Sequence, residues 1–274
     1  MGATWQSLLG GHGIISYSFQ VGSLVTGLIF GRFLHAVVWY YCPKVSSKTD
    51  SYLIAQISTS ACSYPNCKHV LCTWPSIRFF NGVLLKRRCD CCYERISLHY
   101  PLTEATCGLL FLSISLVAPS LVDFIQICVF AWFLLALSMI DYFTLLLPDA
   151  LTQPLMWSGL LISVSGFGIP LEFAVLGSIF GYLSLWVLYW VFRIFTGQEG
   201  IGFGDLKLLA AIGAWVGLEM LPLVCTLAAF SGIVFWLSWK VAGRSGQLIP
   251  FGPGLSSAGL FIYISQKSHM LWLM

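Results

Sequence analysis

Ala131 to Asp149 reads AWFLLALSMIDYFTLLLPD, an apolar run that stops at Asp141 and turns at Pro148. Extended back to Leu121, it is long enough to cross the roughly 30 Å hydrocarbon layer of a bilayer as a helix. Asp141 then stands at one end of a membrane span. A carboxylate at membrane depth costs on the order of 3 kcal/mol or more and is seldom kept without a use. A second one follows in Gly202-Phe203-Gly204-Asp205-Leu206-Lys207, at the head of LLAAIGAWVG. The fold turns on whether these two acids can meet.

Composition settles the class. Of 274 residues, 58% are hydrophobic and only 9% charged, and the mean hydropathy is +0.84. A soluble domain has too little interior to hide that much apolar surface, so the chain reads as an all-α polytopic membrane protein. Apolar runs place eight spans near 14–40, 103–118, 121–140, 152–169, 172–193, 206–221, 222–240 and 254–273. Only Pro119-Ser120 parts the second from the third, and the sixth meets the seventh near Pro222, so each pair is expected to form a tight hairpin. No Lys or Arg precedes Arg32; the first run therefore lacks the basic start of a cleaved signal and reads as a retained span. Three regions result: a first span over 1–41, a polar loop domain over 42–102 and a seven-helix core over 103–274.

Charge placement gives sidedness. Eight of the fourteen Lys and Arg residues lie between Cys42 and Tyr100, which makes that loop cytoplasmic by the positive-inside rule. Alternation brings 141–151, 194–205 and 241–253 to the same face, where Arg193, Lys207, Lys240 and Arg244 cluster. Asp123, Glu172 and Glu219 occupy the opposite turns. Two spans separate Asp141 from Asp205, so both reach the cytoplasmic side.

Two carboxylates at one depth resist being ionised together, and one keeps its proton. The charged partner can take a proton from water as that water attacks an amide; the protonated partner can donate to the carbonyl oxygen or the departing nitrogen. There is a plainer alternative. Asp205 and Asp149 could each cap the helix that follows. Asp141 has no such explanation, because a negative charge at a helix C-terminus opposes the dipole. Gly202 and Gly204 allow unusual backbone or close approach of another segment. Gly213 and Gly217 suit tight helix packing, and Lys207 suits an interfacial anchor that could also tune the acid.

Several motifs together resemble the type IV prepilin peptidases. They are Ile140-Asp141 with Leu147-Pro148-Asp149-Ala150-Leu151-Thr152, and Glu199-Gly200-Ile201-Gly202-Phe203-Gly204-Asp205-Leu206-Lys207. Ile96-Ser97 with Tyr100-Pro101-Leu102-Thr103-Glu104, and Pro250-Phe251-Gly252-Pro253-Gly254-Leu255, complete the set. The resemblance implies a bacterial inner-membrane enzyme that removes the leader of type IV prepilins or type II pseudopilins at the cytoplasmic face. It further implies N-methylation of the new amino terminus with S-adenosylmethionine. On that resemblance Asp141 and Asp205 are the catalytic pair, with Gly202, Gly204, Lys207 and Asp149 in support. Arg32 and His35 depart from the small Ser and Asn usual in the family's first span.

Six of the ten cysteines fall between Cys62 and Cys92. In a basic, reducing loop such clustering suggests a metal rather than disulfides. The family's loop commonly carries two Cys-x-x-Cys pairs suited to tetrahedral zinc. Cys89 and Cys92 keep the second pair; in the first, Tyr64 stands where a cysteine is expected, leaving Cys62 and Cys67 as substitutes. Cys72, His69 and Cys91 are alternative ligands. Lys86-Arg87-Arg88 faces anionic lipid on this reading, and no nucleic-acid partner is expected. Competing readings are a proton- or cation-coupled transporter, another intramembrane Gly-x-Gly-Asp protease, and a non-catalytic assembly component.

Overall fold

The structure is a computed structural model that describes residues 13–41, 99–197, 200, 202–241 and 250–268. Among these residues are eight α-helices and no strand. They are α1 (Gly13–Tyr41), α2 (His99–Val117), α3 (Leu121–Thr144), α4 (Asp149–Val164), α5 (Leu171–Thr196), α6 (Phe203–Val216), α7 (Leu221–Val241) and α8 (Gly252–Lys267). Each matches an apolar run read from the sequence to within a few residues. Windows in α1, α3, α5 and α7 are long and apolar enough to cross a membrane unaided. The others are shorter, and α6, with 14 residues, rises only roughly 21 Å. The cysteine loop, with Cys62, Cys67, Cys89 and Cys92, lies outside the described residues.

Two compact units divide the chain after Val117. In the first, α1 packs on α2, and glycines set the approach. A Cβ on Gly27 would come 2.8 Å from the Cys107 carbonyl oxygen, and one on Gly31 would come 2.9 Å from the Glu104 Cα. Leu34, Cys107 and Ile114 are buried in this contact. Arg32 and His35 both have partners, as residues at that depth must.

The second unit is built around α6. Every residue from Leu208 to Val216 is buried, because α4, α5 and α8 all pack on this short helix. α5 crosses it in backbone contact: a Cβ on Gly177 or on Gly213 would overlap the other's carbonyl oxygen. Small residues permit that closeness in a membrane, where packing rather than water exclusion drives helices together. Gly217 also packs closely, its carbonyl carbon 3.0 Å from where a Cβ on Gly177 would stand, and it has a second role. It ends α6 at φ +82°, a conformation that costs a side chain. The expected hairpin of the sixth and seventh spans is likewise not a packed pair. The chain turns at Gly217–Met220, and α7 lies along α8 instead.

One end of this unit is tied by polar side chains. Lys267 Nζ sits 2.7 Å from Asp123 Oδ1 and also donates to the Phe167 carbonyl at 3.2 Å. Gln126 accepts from the Tyr263 hydroxyl and donates to the same Phe167 carbonyl. Trp215 Nε1 donates to the Leu155 carbonyl at 2.8 Å, with its ring stacked on Phe130. Asp123 and Lys267 stand at the ends of α3 and α8 away from Asp141 and Gly252.

Candidate active site

α3 continues one turn past Asp141, to Thr144, so the carboxylate lies inside the last helical turn rather than closing it. Leu145 ends the helix in the left-handed region, φ 55°, and its N–H donates to the Asp141 carbonyl at 2.8 Å. The loop Leu145–Pro148 then leads into α4. Asp149 is the first residue of α4 rather than its cap, which is Pro148.

The objection to Asp141 at a helix C-terminus is met by another helix. Its side chain is buried, 5% exposed, and Oδ2 accepts from the Gly252 N–H at 2.8 Å. Gly252 opens α8. The carboxylate therefore sits where backbone donors point outward and the dipole favours negative charge.

Asp205 lies in the first turn of α6, ahead of the apolar run and outside the spanning windows. It is not the cap. That position belongs to Gly202, and no side chain caps the helix. The Asp205 carboxyl is only partly exposed, and its pKa is pushed up to about 7, chiefly by burial and next by the charge of Asp141. A backbone hydrogen bond from Gly202 works the other way. Asp141 is thus near enough for its charge to act on Asp205.

Their supports can be read residue by residue. A Cβ on Gly204 would lie 2.8 Å from the Leu147 Cβ, so the loop after Asp141 rests directly on the first turn of the Asp205 helix. Gly202 has ordinary backbone, φ −74°, and a Cβ there would meet only the Asp205 carboxylate, at 3.4 Å. Phe203 packs on Tyr189 with ring centroids 4.8 Å apart, pinning the segment before Asp205 to α5. Lys207 Nζ bonds Asp149 Oδ1 at 2.6 Å, which pairs two supporting residues and joins α4 to α6 beside the acids. The sequence reading attached no role to Gly252 or Leu147. Their signals were the Pro-Phe-Gly-Pro stretch before the last span and the Leu-Pro-Asp after Asp141.

Among the described residues, no group of three or more His, Cys, Asp or Glu side chains is arranged to hold a metal. The four candidate cysteines lie outside them.

Two family models match the chain: the type IV leader peptidase family over residues 128–237, and the bacterial peptidase A24 N-terminal domain over residues 25–118. The chain is similar to a prepilin leader peptidase/N-methyltransferase from Pectobacterium carotovorum subsp. carotovorum, with 38% identity covering 86% of this chain and 90% of that protein. Proteins of the same description from Aeromonas salmonicida (strain A449) and Pseudomonas putida are 39% and 37% identical. They cover 95% of both chains and 86% of both chains, respectively. No solved structure matches. With identity of this level over most of its length, the chain belongs to the type IV leader peptidase family.

Proposed function

We propose that the protein removes the leader peptide of prepilins and then methylates the exposed amino terminus, with Asp141 and Asp205 as the catalytic acids of the first step. The observation that carries this reading is the electrostatic contact of the two carboxylates, 64 positions apart in sequence, at one end of a packed helical unit. Asp205, with its raised pKa, keeps the proton, and Asp141 carries the charge. A water between them loses a proton to Asp141 while its oxygen attacks the scissile carbonyl. Asp205 donates first to that carbonyl oxygen. As the C–N bond breaks, Asp141 gives the departing nitrogen the proton it took from water, a hydroxyl of the intermediate returns its proton to Asp205, and the leader gains a carboxyl group. Both acids stand at one end of their helices, which favours a site at one membrane face over carriers strung along a transport path.

The finer parts of the proposal concern setting. The substrates are type IV prepilins or type II pseudopilins, presented by their apolar N-terminal helix. The enzyme lies in the bacterial inner membrane with its acids toward the cytoplasm, consistent with the basic loop over 42–102 on that side. S-adenosylmethionine would supply the methyl group of the second step, and Cys62, Cys67, Cys89 and Cys92 would be the residues to hold zinc in that loop. Functionally the chain divides into a first span over 1–41, a loop domain over 42–102 and a membrane core over 103–274, whose α2 packs on α1.

Coexpression with a prepilin tests the reading by mass. The substrate loses its leader with the wild-type enzyme and keeps it with Asp141→Asn or Asp205→Asn. Processing by both variants would sink the two-carboxylate mechanism.

A further inference from the structure

We infer that Gly252 is a positioning residue for the reaction: the start of α8 fixes one oxygen of Asp141 and leaves the other to the water. This rests on the reading of Asp141 as the charged partner.

Two independent contacts carry the inference. The first is the hydrogen bond, Gly252 N–H to Asp141 Oδ2 at 2.8 Å and buried, between residues 111 apart. A carboxylate held by one oxygen cannot rotate freely about its Cβ–Cγ bond, so its second oxygen points in a defined direction. Pre-set direction of this kind is what a proton acceptor in hydrolysis needs. The second contact is steric. A Cβ at position 252 would lie 2.6 Å from Asp141 Oδ2, 2.9 Å from Cγ and 3.0 Å from Cβ. Only glycine lets the backbone come this near, while its helical geometry at the start of α8 would accept any residue. The glycine is therefore demanded by the acid and not by the chain's own conformation.

The donor is itself held in place. Gly254, two residues on, packs against α7, where a Cβ would lie 2.8 Å from Ser231 Oγ and 3.2 Å from the Ala228 carbonyl oxygen. The ring of Phe251 faces Gly232 of the same helix at ordinary contact distance. α7 thereby braces the first turn of α8, and α8 braces Asp141. This gives the seventh helix, which carries neither acid, a part in orienting the site.

The test uses the full-length enzyme with a prepilin substrate. Gly252→Ala is expected to lower kcat at least tenfold with KM within twofold, whereas Gly22→Ala, whose Cβ meets nothing within 4 Å, leaves both unchanged. Thermal midpoints are then compared in two backgrounds. Gly252→Ala should lower the midpoint much less when Asp141 is already Ala, because the carboxylate it collides with is gone. Should Gly252→Ala fail to accumulate, recovery of normal levels in the Asp141→Ala, Gly252→Ala double variant carries the same conclusion. Equal loss in both backgrounds, or wild-type kcat in Gly252→Ala, overturns the inference. Activity retained by Asp141→Asn would instead overturn the underlying reading of the acids, so the two failures are distinct.

Discussion

If Asp205 must hold a proton while Asp141 is charged, leader removal has to fall as pH rises through the Asp205 pKa of about 7. The sign follows from the role: the donor is competent below that value and spent above it. The competent fraction is roughly a half at pH 7, about a tenth at pH 8 and about a hundredth at pH 9. An ordinary carboxyl, at 3.8, would already be depleted about a thousandfold at pH 7. Burial and the neighbouring charge thus supply the entire working range at neutral pH. The assay is the initial rate of leader removal by the reconstituted enzyme at limiting substrate, from pH 6 to 9. A tenfold loss per unit above pH 7.5 is expected, with the apparent pKa belonging to the pair rather than to one residue. A second arm uses Asp141→Asn, which lacks the second cause of the upward shift. Infrared titration of the Asp205 carboxyl in that variant should show a lower pKa than in the wild type. A flat rate from pH 7 to 9, or an Asp205 titration unmoved by Asp141→Asn, would refute the shared-proton argument.

Other consequences follow from the packing. Gly213→Val drives a side chain into the backbone of α5 at Gly177 and should cost about 3 kcal/mol, read as a fall in thermal midpoint together with loss of activity. Trp215→Phe removes a buried hydrogen bond to the Leu155 carbonyl; a loss of about 1–2 kcal/mol is expected by thermal unfolding in detergent. The Lys207–Asp149 pair has side chains 41% and 54% exposed, so Lys207→Ala should change stability by less than about 1 kcal/mol. Its effect should appear in rate instead: Lys207→Glu slows leader removal, and adding Asp149→Lys restores it. Gly204→Ala crowds Leu147 and should reduce kcat more than it reduces the yield of folded enzyme.

Hydropathy made the helices legible, since a bilayer demands long apolar runs. That Asp141 and Asp205 could share one face was legible for the same reason. Two spans between two acids return the chain to the face it left. What could not be read was the identity of the groups beside each acid. Gly252 reaches Asp141 across 111 residues, and no local periodicity carries a contact of that range. Helix ends were misjudged by a turn, and this changed roles. Asp205 fell inside α6 rather than capping it, and Asp141 fell inside α3 rather than closing it. Pairing Lys207 with Asp149 needed the fold as well, because each has a plausible solitary purpose, as membrane anchor or helix start.

The order in which the ribosome delivers the chain gives the Asp141–Gly252 contact a further meaning. Asp141 and Asp205 both precede residue 252 in the chain, so a growing polypeptide has both carboxylates before it has the N–H that bonds one of them. A chain stopped ahead of α8 accordingly leaves the Asp141 carboxylate without its Gly252 hydrogen bond.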